Sequence, residues 1–139
     1  KAAPSDIKLL TYNAFIRPKL DYASVVWDPH LKTDIKKLEM VQRKAVRFIF
    51  NAYHGNDSPT TIMAINNIPT LQYRRAVARL KFLHSLYFHK FNITPGTYIR
   101  HRISRQTRHT HAYTLEPYFA RTNLFKNSFF PRTINEWNE

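Results

Sequence analysis

Carboxylates are the first residues to weigh, because metal-dependent polymerase or nuclease chemistry needs two or three of them converging on a divalent ion. The acids of this chain are Asp6, Asp21, Asp28, Asp34, Asp57, Glu39, Glu116, Glu136 and Glu139. None stands in a close pair on a strand–turn context; their settings are caps, turns and helix faces. No metal-centred catalysis is therefore expected from them. His101, His109 and His111 lie in a basic stretch, but zinc usually takes four ligands and no neighbouring acid or cysteine completes a set. They read as neighbours of phosphate or solvent, and His84, alone on its helix, reads as a satisfied core histidine. The chain has no Cys, which removes thiol nucleophiles and disulfides. Neither a phosphate-binding GxxxxGK[ST] loop nor a GxSxG elbow is present.

What remains is positive charge interleaved with aromatic rings. The 139 residues carry 22 Lys+Arg against 9 Asp+Glu, a formal net charge of +13, with 43% hydrophobic and 14% aromatic residues. Such a surplus implies a polyanionic partner or an anionic surface. Lys and Arg reach phosphates, while Tyr and Phe stack on unpaired bases. The aromatic content argues against a disordered basic tail, and the length suits one domain or a domain with an extension. No apolar run approaches the roughly 18 residues of a membrane span, and the opening residues do not read as a signal peptide. Neither a membrane nor a small-molecule substrate is an expected partner. The chain opens on Lys1 and stops at Glu139 inside a helical pattern with no stop signal, so it reads as a piece of a longer protein.

The elements that must position these groups are helices. Residues 1–70 hold 10 Lys+Arg and 6 acids, whereas residues 71–132 hold 12 Lys+Arg and one acid, Glu116. Helical periodicity gives way to irregular sequence near Phe91, so a helical domain over residues 1–91 and a basic, aromatic extension over 92–139 are expected. Ser5 suits an N-cap, and Asp6 complements the helix dipole. Pro18 should break or kink that helix, and a second helix should run from Pro18 to Trp27, before Asp28-Pro29. Thr33 should cap a helix to about Phe50. At 100° per residue, Ile35, Leu38, Val41, Ala45, Val46, Phe48 and Ile49 share an arc of about 120–280°; Lys36, Lys37, Arg43, Lys44 and Arg47 occupy the opposite one. Only Asp34 and Glu39 are at hand to neutralise these five cations.

Ser58-Pro59 should start a short helix to Ile65, and Thr70 a long, centrally buried one from Leu71 to about His89. On the latter, Arg74 and Lys81 form an exposed pair, and Arg75 and Arg79 point among apolar residues under the tail. The aromatics after residue 92 should fold back over the helices rather than build a second core, with room for a short strand within 124–130.

Four runs resemble one family. Arg17-Pro18-Lys19-Leu20-Asp21-Tyr22-Ala23-Ser24-Val25-Val26-Trp27-Asp28-Pro29 resembles the segment after the palm in reverse transcriptases of non-LTR retrotransposons of the LINE or jockey type. Leu38-Glu39-Met40-Val41-Gln42-Arg43-Lys44-Ala45-Val46-Arg47 is similar to the next helix of that region. Arg79-Leu80-Lys81-Phe82-Leu83-His84 and Ser128-Phe129-Phe130-Pro131-Arg132-Thr133-Ile134-Asn135-Glu136-Trp137-Asn138 resemble its later landmarks, in the same order. The resemblance implies a mostly α, thumb-like helical bundle of an RNA-directed DNA polymerase, with the following segment packed back on it. The paired aspartates and Mg²⁺ of that family belong to a palm upstream; this fragment, without them, is expected to hold no cofactor and not to polymerise. The implied partners are RNA and DNA, as primer–template and element RNA, and the palm of the parent chain. The parent would be intracellular, in the nucleus or a ribonucleoprotein particle. Candidate nucleic-acid contacts are Lys36, Arg43, Lys44 and Arg47 as one stripe, Arg74 and Lys81 as a second, and Arg100, Arg102, Arg105 and Arg108 along the extension. Two other readings fit the same charge: a basic helical module that docks acidic proteins, and a non-functional remnant of a mobile element.

Overall fold

The computed structural model describes residues 3–55, 57–103 and 111–139. Among them the chain is mostly helical, as expected. Cα packing divides it into two units, Lys1–Arg75 and Ala76–Glu139, upstream of the compositional shift near Phe91.

In the first unit, helix α1 (Ser5–Thr11) follows an extended Pro4, so Ser5 opens the helix instead of capping it. Pro18 neither ends nor sharply breaks the run. Lacking an N–H, it cannot bond the carbonyl four residues back, and the chain widens into a π turn over Tyr12–Ile16, where the Arg17 N–H reaches the Tyr12 carbonyl. Helix α2 (Arg17–Asp21) then ends at Ala23, which sits in the left-handed region at φ 49°. The single helix expected to Trp27 is therefore two, and α3 (Ser24–Trp27) is its short continuation. The Trp27 indole N–H, 2.6 Å from the Tyr22 carbonyl, takes up an acceptor at the break.

Helix α4 (Lys32–Phe50) follows an extended Leu31 and stops on Asn51 at φ 52°, where the Ala52 N–H bonds the Arg47 carbonyl at 3.0 Å. This is a Schellman-type ending, with Asn taking the left-handed position that glycine usually fills. Its buried side is Gln42, Val46 and Ile49. Val41 and Phe48, on the edge of the expected apolar arc, are exposed. They line instead, with Ile7, Tyr12 and Ile16 of the first helical run, an open apolar groove of about 530 Å³. Gln42 is buried because its amide donates to the Pro69 carbonyl at 2.8 Å, a long-range partner that periodicity does not reveal. Helix α5 (Pro59–Ile65) starts after Ser58, as expected, and buries Met63.

Helix α6 (Leu71–Tyr87) has its first turn held by two side chains. The Thr70 hydroxyl accepts from the Tyr73 N–H at 3.2 Å, and Glu39 of α4 accepts from the Gln72 N–H at 2.7 Å. Leu71, Arg75, Arg79, Leu83 and Leu86 are buried along α6, at the i, i+4 and i+3 steps of one face.

The second unit has its own core: Leu83 with Ile99, Leu115 and Ile134, and with Tyr87, Phe129, Phe130 and Trp137 packed against it. The aromatics thus join a core here and are more than a cover. After a 3₁₀ turn (Pro95–Thr97), residues 100–102 pair antiparallel with 114–116 through an isolated bridge between His101 and Leu115. The strand that 124–130 had room for is absent. Thr122 caps α7 (Asn123–Lys126), whose residues stay exposed, and α8 (Phe129–Asn138) follows, burying Pro131, Thr133 and Ile134 on one side. The Asn138 side-chain amide pairs with both backbone groups of Leu115, at 2.9 and 2.8 Å, in place of a neighbouring strand.

Candidate nucleic-acid interface

The basic side of α4 is what helical geometry makes of Lys36, Arg43, Lys44 and Arg47. Steps of seven, one and three residues bring them within about 100° of arc, along roughly 16 Å of axis. All four are exposed, and among the described residues none forms an ion pair. The two acids that might have quenched the row are engaged elsewhere. Asp34 takes the Lys37 ammonium at 3.1 Å, which removes Lys37 from the row, and Glu39 accepts the backbone N–H of Gln72. The row thus has no carboxylate partner among the described residues.

The second stripe does not assemble in the same way. The Arg74 guanidinium is bound by Asp21, which also lies 3.9 Å from Arg17, and its side chain is only 13% exposed. Burial lowers the Arg74 pKa below the ordinary arginine value, and Arg17 pushes it the same way. Arg74 is thereby committed within the first unit. Lys81 is exposed on α6.

Arg75 and Arg79 take structural roles. Arg75 is 1% exposed, 3.5 Å from Asp28 and over the Trp27 ring at 5.3 Å. Arg79 meets Glu136, which also accepts from Arg132 at 3.3 Å. The tail does lie over Arg79, through α8.

Arg100 and Arg102 are exposed on the extended segment. Arg105, Arg108 and His109 lie outside the described residues. His111 has both ring nitrogens engaged: Nδ1 accepts from the Tyr113 N–H at 3.1 Å, which leaves Nε2 as the donor to the Trp137 carbonyl at 3.0 Å. His101 packs edge-on against Tyr87 at 5.2 Å. His84 is exposed beside Phe88, at 4.5 Å between ring centroids, and is no core histidine. Among the described residues, no group of three or more metal-ligating side chains forms and no helix is long and apolar enough to cross a membrane.

Sequence reasoning missed the face that Arg100 shares with Glu116, because only backbone pairing brings them together: the Glu116 N–H donates to the Arg100 carbonyl at 2.8 Å. The spacing of Tyr98, Arg100 and Arg102 at alternate positions was the available signal. No protein-family model, curated protein or solved structure matches the chain.

Proposed function

We propose that this chain is a nucleic-acid-holding piece of an RNA-directed DNA polymerase, the thumb and following segment of a reverse transcriptase of the non-LTR retrotransposon type. Lys36, Arg43, Lys44 and Arg47 would contact the primer–template backbone while a palm elsewhere in the parent chain performs the chemistry. The observation that carries this reading is the row of four exposed cations whose nearby acids are engaged elsewhere. The four sequence runs that resemble the family, and the helical character they imply, supply the polymerase context. A holding element must tolerate every sequence that passes, and phosphate-directed Lys and Arg contacts are independent of sequence.

The test is binding of the full chain to an RNA–DNA hybrid over a series of salt concentrations. Neutralising three or four phosphates gives a log K against log salt slope of about −3 to −4. Arg43→Glu with Arg47→Glu should remove most of the affinity, whereas reversal of exposed Lys19 and Lys126 should remove much less. Lys8 is unsuitable as a control, because its ammonium bonds the Phe48 carbonyl and the Asn51 side chain at 3.2 and 3.0 Å. Equal losses in both double variants would mean that charge acts diffusely and that the row has no special role.

A further inference from the structure

We infer that the second unit carries a separate binding site for an unpaired nucleotide, on the outer face of its short two-stranded ribbon. The inference rests on the reading of the chain as a nucleic-acid holder but uses none of the α4 residues. The pairing of His101 with Leu115, with the Glu116 N–H on the Arg100 carbonyl and the Arg102 N–H on the Thr114 carbonyl, sets the register. Ile99 and Leu115 then face inward and are buried, while His101 stays exposed beside Tyr87. Arg100 and Arg102 fall on the other side, with Glu116 directly opposite Arg100.

Two cavities lie along the paired segments, of about 320 and 470 Å³, and Glu116 and Pro117 line both. Arg100 and Phe119 line the first, and Arg102 lines the second together with His101 and Ile103. The Tyr118 hydroxyl is bonded to the Tyr98 carbonyl, and the Tyr98 ring stacks on Phe130 at 5.3 Å and 4°, so two walls of the first cavity are fixed. Phe119, at its rim, is 83% exposed and presents a whole aromatic face. Arg100 and Glu116 are directly opposed, yet neither forms an ion pair among the described residues.

These groups match the parts of a nucleotide. Arg100 suits the phosphate of a nucleotide seated in the first cavity. Phe119 offers a stacking surface for a base, which a duplex would keep covered. Glu116, a pure acceptor when ionised, selects a base edge that carries donors; guanine offers two, its ring N–H and exocyclic amine, while uracil offers one. The occupant is therefore a single strand, with a preference for an amine-bearing base at one position.

The experiment uses the full chain and single-stranded oligouridylates of about ten nucleotides, as RNA and as the DNA equivalent, each with and without one central guanine. Phe119→Ala should weaken single-strand binding about tenfold and leave hybrid binding unchanged. Glu116→Ala should erase the preference for the guanine-containing strand. Arg43→Glu with Arg47→Glu should weaken hybrid binding by a larger factor than single-strand binding and leave the preference for the guanine-containing strand in place. Because Phe119 is exposed, its truncation does not threaten the fold. Unchanged single-strand affinity in Phe119→Ala, a preference that survives Glu116→Ala, or competition by polyaspartate as strong as by the oligonucleotide would each overturn the inference. Insensitivity of hybrid binding to the α4 reversal would instead count against the holding function alone.

Discussion

One guanidinium nitrogen of Arg79 lies 2.7 and 2.8 Å from the two carboxylate oxygens of Glu136, 57 residues further along the chain. Arg79 has 3% and Glu136 28% of its side chain exposed, so the carboxylate compensates a guanidinium that water scarcely reaches. Removing one half of a buried pair leaves an uncompensated ion, while replacing both halves by apolar groups is often tolerated. Glu136→Ala should cost about 2–3 kcal/mol, toward the low end for such pairs because the carboxylate is partly wet. Arg79→Met with Glu136→Leu should recover most of that loss. Urea unfolding of the single and double variants checks both statements; equal stability of Glu136→Ala and wild type would refute them.

A similar pair holds the first unit. Arg75 is sandwiched between Asp28 at 3.5 Å and the Trp27 ring at 5.3 Å, and the Asp28 side chain is only 6% exposed. Asp28→Ala should therefore cost about 3–5 kcal/mol, more than Glu136→Ala. Trp27→Leu, which keeps the ion pair but removes the ring face, should cost about 1–2 kcal/mol. Thermal unfolding followed by circular dichroism ranks the three variants.

Tyr12 offers a pH dependence. The residue is 3% exposed, its hydroxyl has no hydrogen-bond partner among the described residues, and burial raises its pKa above the ordinary 10.0, while Arg74 and Arg17 pull the other way. The folded state thus favours the protonated phenol. This contribution to stability is fully present below the unfolded-state value of about 10 and is lost as pH rises through the folded value. Tyr12→Phe should flatten the alkaline loss of stability. At neutral pH it should be neutral or slightly stabilising, because it removes a buried hydroxyl with no partner among the described residues. Ultraviolet tyrosine titration and urea unfolding at rising pH test the two halves.

Ala23 holds φ 49° between α2 and α3, a conformation that costs an L-residue about 1–2 kcal/mol. Glycine removes that strain but loses more chain entropy on folding. Ala23→Gly should yield a net gain of about 0.5 kcal/mol, and Ala23→Val a loss of at least 1 kcal/mol, both measurable by urea unfolding.

Local signals were legible and distant ones were not. Ser58 and Thr70 marked two helix starts because capping depends on residues within one turn. The cation row on α4 was legible for the same reason: its members are neighbours through helix geometry alone. The π turn and the Ala23 break left only Pro18 as a hint, since alanine carries no signal for a left-handed backbone. Helical position set Arg75 and Arg79, read as packed among apolar residues, apart from Arg74, read as exposed; what it could not supply is their partners, Asp28, Glu136 and Asp21, brought in from elsewhere in the chain. The burial of Gln42 left no sequence signal, because its partner, the Pro69 carbonyl, has no side-chain identity to recognise. The Glu116 face needed the pairing of two irregular segments, which hydropathy does not encode.

The inward use of the acids has a kinetic consequence. Asp21, Asp28, Asp34, Glu39, Asp57 and Glu136 each already hold a donor of this chain, so an approaching polyanion meets few negative charges to turn it away. Capture should then be fast and poorly discriminating, accelerated by long-range attraction and slowed steeply by added salt. Residence time, not encounter, becomes the quantity through which any choice between strands must be expressed.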